Sequence, residues 1–280
     1  MSRNINRVIA FNYFGGKFTW LDLLYENFPS EFTHLAELFG GSFCVSLNYK
    51  GKIVRTANEI NGEITNFFEV LRDHEGELMR RLLLTPCSQL EYNNCWGASE
   101  DKIERARRFY VRIRQSFFSL GAQRKNKGWH MAKSSCNVNG GETVSKWNNA
   151  LAKLYAVAEV IRENFQITNL DYKECIDRID HEGAFFYCDP PYPEETRASF
   201  NVYKYEFSRE DHIDLAERLH RIKGLAMVSS YRSDLYDELY ADWRRVEFPT
   251  KKNNIRSSEV KEVIWMNYEN TDRSLFNQNI

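Results

Sequence analysis

Short apolar runs, closed by turns that contain glycine, asparagine or proline, alternate along the chain with segments of helical spacing. The clearest predicted strand is Ala184–Cys188, because an uninterrupted apolar run of this length is typical of a strand buried on both faces. The predicted strands are Thr33–Leu38, Lys52–Ala57, Gln166–Leu170, Ala184–Cys188, Leu225–Ser229, Trp243–Phe248 and Glu259–Asn267. The predicted helices are Ser42–Tyr49, Glu63–Leu84, Glu100–Leu120, Trp147–Asn164, Ser208–Ile222 and Ser233–Tyr240.

The order of these elements predicts an α/β fold with a helical insertion. A strand that ends at Gly40-Gly41, a helix, and a second strand followed by Glu59 are typical of the opening of a nucleotide-binding unit. The middle of the chain is helical instead, and Gly121–Ser145 predicts an irregular loop because it is polar and has few aliphatic residues. We therefore predict a sheet domain of residues 1–62 and 150–280 and an inserted helical domain of residues 63–149.

Composition narrows the classes of function. The six cysteines form no Cys-x-x-Cys pair and do not cluster with the six histidines, so we expect free thiols, a reducing compartment and no metal site. The chain has no apolar run of roughly 18 residues, and its first residues lack the apolar stretch of a signal peptide. We expect a cytoplasmic monomer that has no membrane partner.

Charge is distributed unevenly along the chain. The segment Asp101–Lys133 has ten Lys or Arg residues and two acidic residues, a charge of +8, although the whole chain carries −1. A basic face of this kind can neutralise phosphates, which makes the segment a candidate nucleic-acid interface. The alternative is a solvated helix followed by a loop.

The candidate chemistry lies directly after the strand Ala184–Cys188, at Asp189-Pro190-Pro191-Tyr192. In an open α/β sheet, ligands bind beyond the carboxyl ends of the strands, so this turn is placed where a reactive group would be displayed. The two prolines restrict the backbone and make the turn stiff. An ordinary loop after a strand is the alternative, because Asp and Pro are common there.

The run Phe186–Tyr192 resembles the catalytic motif of methyltransferases that act on exocyclic amino groups. The resemblance implies that Asp189 and the carbonyl of Pro190 accept hydrogen bonds from the amino group, and that Tyr192 stacks on a flipped base. Pro191 completes the motif. Enzymes that act on cytosine N4, on RNA or on protein glutamine use related motifs, so these residues alone leave the substrate open.

Four further segments appear in the order found in the Dam-like family, the α-group of adenine-N6 DNA methyltransferases. They are Tyr13–Lys17, which resembles the family's Trp-Ala-Gly-Gly-Lys; Glu37–Ser42, which resembles Pro-Phe-x-Gly-Gly-Gly; Asn58–Asn61, which resembles Asp-Ile-Asn; and Thr168–Tyr172, which precedes the catalytic strand. Because five short motifs share the family's order, the chain is identified as a member of this family.

The resemblance implies a Rossmann-like methyltransferase sheet with a helical target-recognition insertion. It also implies S-adenosyl-L-methionine as the methyl donor, with S-adenosyl-L-homocysteine as the product. Lys17 would contact the donor's carboxylate, Glu59 its ribose, and Asp171 its adenine. The full implied set of donor-binding residues is Tyr13, Phe14, Gly15, Lys17, Glu37, Phe39, Gly40, Gly41, Ser42, Glu59, Asp171, Tyr172 and Asp189.

In this family the insertion reads double-stranded DNA, which is the implied partner. Arg and Asn side chains pair with guanine and adenine in the major groove, an aromatic ring can fill the gap left by a flipped base, and lysines contact phosphates. The implied DNA-binding residues are Arg112, Arg114, Phe118, Arg124, Lys125, Asn126, Lys127, Trp129, Lys251 and Lys252. Phe117–Leu120 and Trp129-His130 depart from the family pattern, so the recognition sequence stays open.

Two alternatives to adenine-N6 methylation stay open at this point. Cytosine-N4 methyltransferases usually have Ser where this chain has Asp189, which favours adenine. An inactive DNA-binding relative is the second alternative, and the retained Asp189, Tyr192, Gly40 and Lys17 favour an active enzyme.

Overall fold

A computed structural model of the chain describes residues 7–13, 15–116, 128–132, 136–137, 140–196, 205–249 and 261–269. The strands are β1 (His34–Glu37), β2 (Val54–Asn58), β3 (Cys136–Asn137), β4 (Gly140–Gly141), β5 (Phe165–Thr168), β6 (Ala184–Cys188), β7 (Leu225–Tyr231), β8 (Arg244–Glu247) and β9 (Glu262–Met266). The helices are α1 (Leu21–Glu26), α2 (Cys44–Asn48), α3 (Gly62–Asp73), α4 (Glu75–Leu83), α5 (Gln89–Asn94), α6 (Lys102–Gln115), α7 (Glu142–Asn164), α8 (Tyr172–Ile179), α9 (Arg209–Leu219) and α10 (Asp234–Leu239), with 3₁₀ turns at Phe18–Trp20 and Glu194–Thr196. Every helix in these ranges is too short or too polar to cross a membrane.

Seven strands form one sheet in the order β5-β2-β1-β6-β7-β9-β8. All neighbours are parallel except at β9, which runs antiparallel to both β7 and β8. The chain builds the sheet outward from β1 to β5 and then resumes at β6 on the other side of β1. The switch point therefore lies between β1 and β6, where ligands bind in folds of this kind. This sheet confirms the predicted α/β, Rossmann-like fold.

Both faces of the sheet are covered, as the apolar run of β6 requires. Phe186 and Cys188 belong to a buried cluster with residues of α8, α9 and α10. Phe185 and Tyr187 belong to a second buried cluster with residues of α1 and α2 on the opposite face. All five residues of β6 are buried, because successive side chains of a strand point to opposite faces.

The helical region shares a buried cluster with the edge of the sheet. Phe67 of α3 and Phe109 of α6 lie in one cluster with Phe43 beside α2 and Phe165 of β5. Helix α7 spans the predicted boundary at residues 149 and 150. The division of the chain into two domains stays a prediction.

Several elements differ from the prediction. The predicted helix Glu63–Leu84 is two helices, α3 and α4, which meet at His74, and α4 starts again on an acidic first turn that suits a helix N-terminus. The predicted loop Gly121–Ser145 is wrong in its last part, because β3 pairs with β4 there and α7 starts at Glu142. The short helices α1, α5 and α8 were not predicted from the sequence.

Polar side chains mark where the helices begin. An oxygen of each accepts a hydrogen bond from a backbone N–H of the first turn, which the helix cannot satisfy itself. The residues are Asn61 before α3, Asp101 before α6, Asp171 before α8, Ser208 before α9 and Ser233 before α10.

The shared cluster predicts that a truncation on α3 destabilises the whole chain. Phe67 is fully buried, and its ring stacks on Tyr110 with centroids 5.2 Å apart. We expect Phe67→Ala to lower the free energy of unfolding by about 3–5 kcal/mol, because the truncation leaves a cavity. Urea unfolding measures the change. Leu84→Ala, at a side chain that is 71% exposed, is the control, and a Phe67→Ala loss no larger than that of the control would contradict the shared core.

Candidate active site

One cleft of about 260 Å³ opens at the switch point between β1 and β6. It brings together the predicted catalytic and donor-binding residues, except Phe14, which lies outside the described residues. Those that line it are Tyr13, Gly15, Lys17, Glu37, Phe39, Gly40, Gly41, Ser42, Glu59, Asp171, Tyr172, Asp189, Pro190, Pro191 and Tyr192.

The turn from β1 into α2 forms the floor of the cleft. The N–H of Gly40 donates to the carbonyl of Asn58, 2.9 Å away, so the turn lies against the end of β2. Gly41 has a φ of 53°, a conformation that favours glycine. A Cβ at Gly41 would lie 2.6 Å from the ring of Tyr13. Glycine is therefore required here both by the backbone and by the close approach of the N-terminal segment.

Glu37, the last residue of β1, is buried beneath this turn. Its carboxylate accepts hydrogen bonds from the backbone N–H groups of Val45 and Ser46 at the start of α2. Burial raises the pKa of Glu37 to about 7, although these hydrogen bonds oppose the rise. The side chain therefore orders the turn, in addition to lining the cleft.

The carboxyl ends of β1, β2 and β5 are joined by Asn58. Its side-chain amide donates to the carbonyls of Leu38 and Leu170, and its oxygen accepts from the N–H of Leu170. The next residue, Glu59, accepts from the N–H groups of Gly41 and Asn61, at 2.8 and 2.9 Å. Burial raises the pKa of Glu59. Each Glu59 oxygen thus has one backbone donor, which fixes the carboxylate at the rim of the cleft.

Three aromatic rings, which pack against one another, line another part of the cleft. The ring centroids of Phe39, Tyr172 and Phe207 lie 5.3–5.7 Å from one another. Asp171 lies beside them, and its carboxylate accepts from the N–H of Lys173 as the cap of α8. This part can hold a flat, apolar ring with one polar edge.

The Asp189–Tyr192 turn is tied to the N-terminal segment by an ion pair between buried Lys17 and partly buried Asp189. Nζ of Lys17 lies 2.6 and 2.7 Å from the two carboxylate oxygens of Asp189, and Lys17 is 2% exposed. The hydroxyl of Ser229 also donates to Asp189, at 3.0 Å. Burial raises the pKa of Asp189, and the charge and hydrogen bonds of Lys17 oppose that rise.

Tyr192 is held from two sides. Its hydroxyl accepts from Nζ of Lys17 at 2.6 Å and donates to the Oε1 of Glu262 at 2.5 Å. Its ring meets the ring of Tyr231 edge-on, with centroids 4.6 Å apart. Burial raises the pKa of Glu262.

The Asp189–Tyr192 turn, the Gly40-Gly41 turn and the rings of Phe39, Tyr172 and Phe207 therefore line one cleft. The family model for D12 class N6 adenine-specific DNA methyltransferases matches residues 13–256. The chain belongs to this family. It is an adenine-specific DNA methyltransferase. A search among curated proteins finds no match to the sequence.

In this methyltransferase, Lys17 contacts the carboxylate of Asp189, the predicted catalytic residue. The sequence predicted that Lys17 contacts the donor's carboxylate, and the side chain does line the cleft. Its nearest partners, however, are Asp189, Tyr192 and the carbonyl of Gly15 at 2.9 Å. The donor contact stays a prediction, while the ion pair adds a role for Lys17 that the motif did not indicate.

Several arginines of the basic segment Asp101–Lys133 form ion pairs within the methyltransferase, so the segment has less unpaired positive charge than its sequence suggests. Arg105 and Arg112 both pair with Glu63 of α3, and Arg107 pairs with Glu91 of α5. These acids lie outside the segment, so a charge count over the segment alone missed them. The guanidinium of Arg112, predicted to contact DNA, also lies over the ring of Trp96.

The other predicted DNA-binding residues are only partly described. Arg114 is half-buried on α6. Trp129 is half-buried against the helical core, and its Nε1 donates to the side-chain oxygen of Gln115 at 3.2 Å. Phe118, Arg124, Lys125, Asn126, Lys127, Lys251 and Lys252 lie outside the described residues.

Sequence reasoning assigned no role to several residues of the site. Ser229 of β7 contacts Asp189, and Glu262 of β9 contacts Tyr192. Phe207 packs against the rings of Phe39 and Tyr172. The available indication for Glu262 was its position, an acidic residue at the start of the otherwise apolar run Val263–Met266. A charged residue there needs a buried partner, but the sequence does not show which one.

The raised pKa of Glu37 predicts a pH dependence of stability. Its pKa is about 7 in the folded chain and 4.5 as the ordinary value, so the folded state binds more protons between these values. Stability from this group is therefore present below pH 4.5 and is lost as pH rises to about 7. In Glu37→Gln this loss should be absent, so the variant should gain on the order of 3 kcal/mol relative to the wild type across the window. Urea unfolding at several pH values measures the difference, and parallel pH curves would contradict the assignment.

Proposed function

We propose that the methyltransferase transfers the methyl group of S-adenosyl-L-methionine to N6 of an adenine that is flipped out of double-stranded DNA. The observation that carries the proposal is that the Gly40-Gly41 turn and Asp189 line the same cleft. A donor bound along the turn would bring its methyl group to the carboxylate that receives the amino group.

The residues of the cleft fit the donor. The carboxylate of Glu59 is fixed by two backbone N–H groups and retains lone pairs for ribose hydroxyls. The rings of Phe39, Tyr172 and Phe207 suit the faces of an adenine, with Asp171 at its polar edge. When bound, S-adenosyl-L-methionine supplies a methyl group on a sulfonium, and the electrons of the broken carbon–sulfur bond remain on sulfur.

Asp189 provides the chemistry at the amino group. An adenine N6 is a weak nucleophile because its lone pair is delocalised into the ring. A carboxylate that accepts a hydrogen bond from the N–H, together with the carbonyl of Pro190, favours a tetrahedral nitrogen and stabilises the positive charge that develops during transfer. Oδ2 of Asp189 accepts from Lys17 and retains a lone pair for this N–H. As the new carbon–nitrogen bond forms, N6 loses one proton to the carboxylate of Asp189, which releases it to water.

Tyr192 supplies a rigid aromatic wall for the base. A base inside a duplex cannot reach Asp189 in a cleft, so the adenine must leave the stack and be held by stacking and by its edge. The ring of Tyr192 is fixed through its hydroxyl and through Tyr231, and it therefore loses little freedom when a base stacks on it.

The helical region, residues 63–149, would carry the DNA contacts. Arg114 and Trp129 lie on the described part of this region, beside the segment that holds Arg124–Lys127. Lysines and arginines there would neutralise phosphates and read bases. Lys251 and Lys252 would add phosphate contacts from the segment before β9.

A change at Asp189 tests the proposal. We expect Asp189→Asn to reduce methyl transfer by roughly 10²- to 10⁴-fold, because the uncharged amide cannot stabilise the developing positive charge. The measurement is transfer of label from S-adenosyl-L-methionine to unmethylated duplex DNA, followed by separation of the nucleosides. The label should appear in N6-methyladenine.

Glu210→Gln is the matched control, since Glu210 is an exposed acidic residue at the start of α9. Its activity should equal that of the wild type. Full activity of Asp189→Asn would overturn the mechanism, and label in cytosine would overturn the choice of base. Faster transfer to single-stranded than to duplex DNA would overturn the duplex as substrate.

A further inference from the structure

The reversed strand β9 brings an acidic residue to the catalytic end of the sheet. In a parallel strand, the first residue lies at the amino end of the sheet, far from the cleft. Because β9 is antiparallel to β7, its first residue, Glu262, pairs in register with Tyr231, the last residue of β7. Glu262 is 7% exposed, so a charged group is buried beside the catalytic turn.

The hydrogen bonds around Glu262 have one direction. Nζ of Lys17 donates to the hydroxyl oxygen of Tyr192, and the proton of that hydroxyl is directed to Oε1 of Glu262. Lys17 also lies 3.3 Å from the same Oε1. Lysine has no acceptor, and an ionised carboxylate has no donor, so the tyrosine hydroxyl donates toward Glu262 when that carboxylate is ionised.

The same contacts link the two groups that act on the base. Lys17 bridges the carboxylates of Asp189 and Glu262, and it lies 4.9 Å from the ring centroid of Tyr192. Hydrogen bonds to ionised groups are the short, strong ones. Displacement of Glu262 would therefore remove two interactions together, the hydrogen bond from the hydroxyl of Tyr192 and the ion pair with Lys17.

We propose that Glu262 is a positioning residue, which fixes the ring of Tyr192 through its hydroxyl, and fixes Lys17, so that the adenine and Asp189 meet in a reactive geometry. The inference rests on the proposed function and adds to it a residue outside the catalytic motif. Glu262 acts through Tyr192 and Lys17 and does not touch the base.

Glu262→Gln tests the inference, because glutamine keeps the size of the side chain and loses the charge that directs the hydroxyl. We expect kcat to fall by roughly ten- to hundredfold, as for a small misplacement of a reacting group. KM for S-adenosyl-L-methionine should change less than kcat does, since Glu262 does not itself line the cleft in the described part of the chain. A loss of stability alone would lower the fraction of active enzyme. The value of kcat, calculated per counted active site, would then stay at that of the wild type.

A double-mutant cycle identifies the route. Tyr192→Phe keeps the ring and removes the hydroxyl, so it should lower kcat by an amount similar to that of Glu262→Gln. In the Tyr192→Phe background, Glu262→Gln should cost less than it does in the wild type, because the contact through the hydroxyl has already been lost and only the contact with Lys17 remains. Losses that multiply independently would overturn the proposed route.

Glu247→Gln is the matched control. Glu247 lies on β8, in register with Val263 of β9, but it pairs with Lys261 on the exposed side. Its kcat should equal that of the wild type.

The outcomes separate the inference from the function on which it rests. A wild-type enzyme that transfers no label to adenine would overturn both. An active wild type with an equally active Glu262→Gln would overturn the inference alone. If Glu262→Gln does not fold, Tyr192→Phe decides, and wild-type kcat in that variant would overturn the inference.

Discussion

The buried ion pair between Lys17 and Asp189 is the contact on which the site depends. It joins the N-terminal segment to the turn after β6, two parts of the chain that are 172 residues apart. Removal of one partner would leave an uncompensated charge in the interior, which is strongly unfavourable. The N-terminal segment therefore cannot leave the cleft without a cost, and its position in turn requires Gly41, whose missing side chain admits the ring of Tyr13. The same contact thus fixes the N-terminal segment against the cleft and pairs the charge of the Asp189 carboxylate.

The sheet explains why these groups meet. Parallel strands place their carboxyl ends at one edge of the sheet. Glu37 and Asn58, the last residues of β1 and β2, therefore line the same cleft as Asp189, which comes directly after β6. The reversal of β9 adds Glu262 to that edge from the opposite direction. Burial then makes each polar group depend on its neighbours, because an unpaired charge or amide in the interior is costly. The result is a cleft in which the Gly40-Gly41 backbone turn forms one part and the ion pairs of Lys17 form another.

Much of this arrangement could be predicted from the sequence, and the reasons are local. The apolar run of β6 and the prolines after it indicate a buried strand and a stiff turn, and the order of short motifs indicates the family. Pairing partners were not predictable, because they depend on the register of distant segments. Arg112 pairs with Glu63, and Lys17 pairs with Asp189. The partners of each pair are far apart in the sequence, so the sequence alone does not predict that they are in contact. Periodicity alone does not show the break at His74, whose backbone N–H donates to the carbonyl of Val70, or the early start of α7.

The most direct test of the central claim is a crystal structure of the methyltransferase with S-adenosyl-L-homocysteine. We expect the ligand's adenine to lie against the rings of Phe39, Tyr172 and Phe207, its ribose to contact Glu59, and its sulfur to face Asp189. We also expect the ion pair of Lys17 with Asp189 to persist, since this pair holds the catalytic turn. A ligand bound outside the cleft, or bound in the cleft with its sulfur directed away from Asp189, would contradict the account.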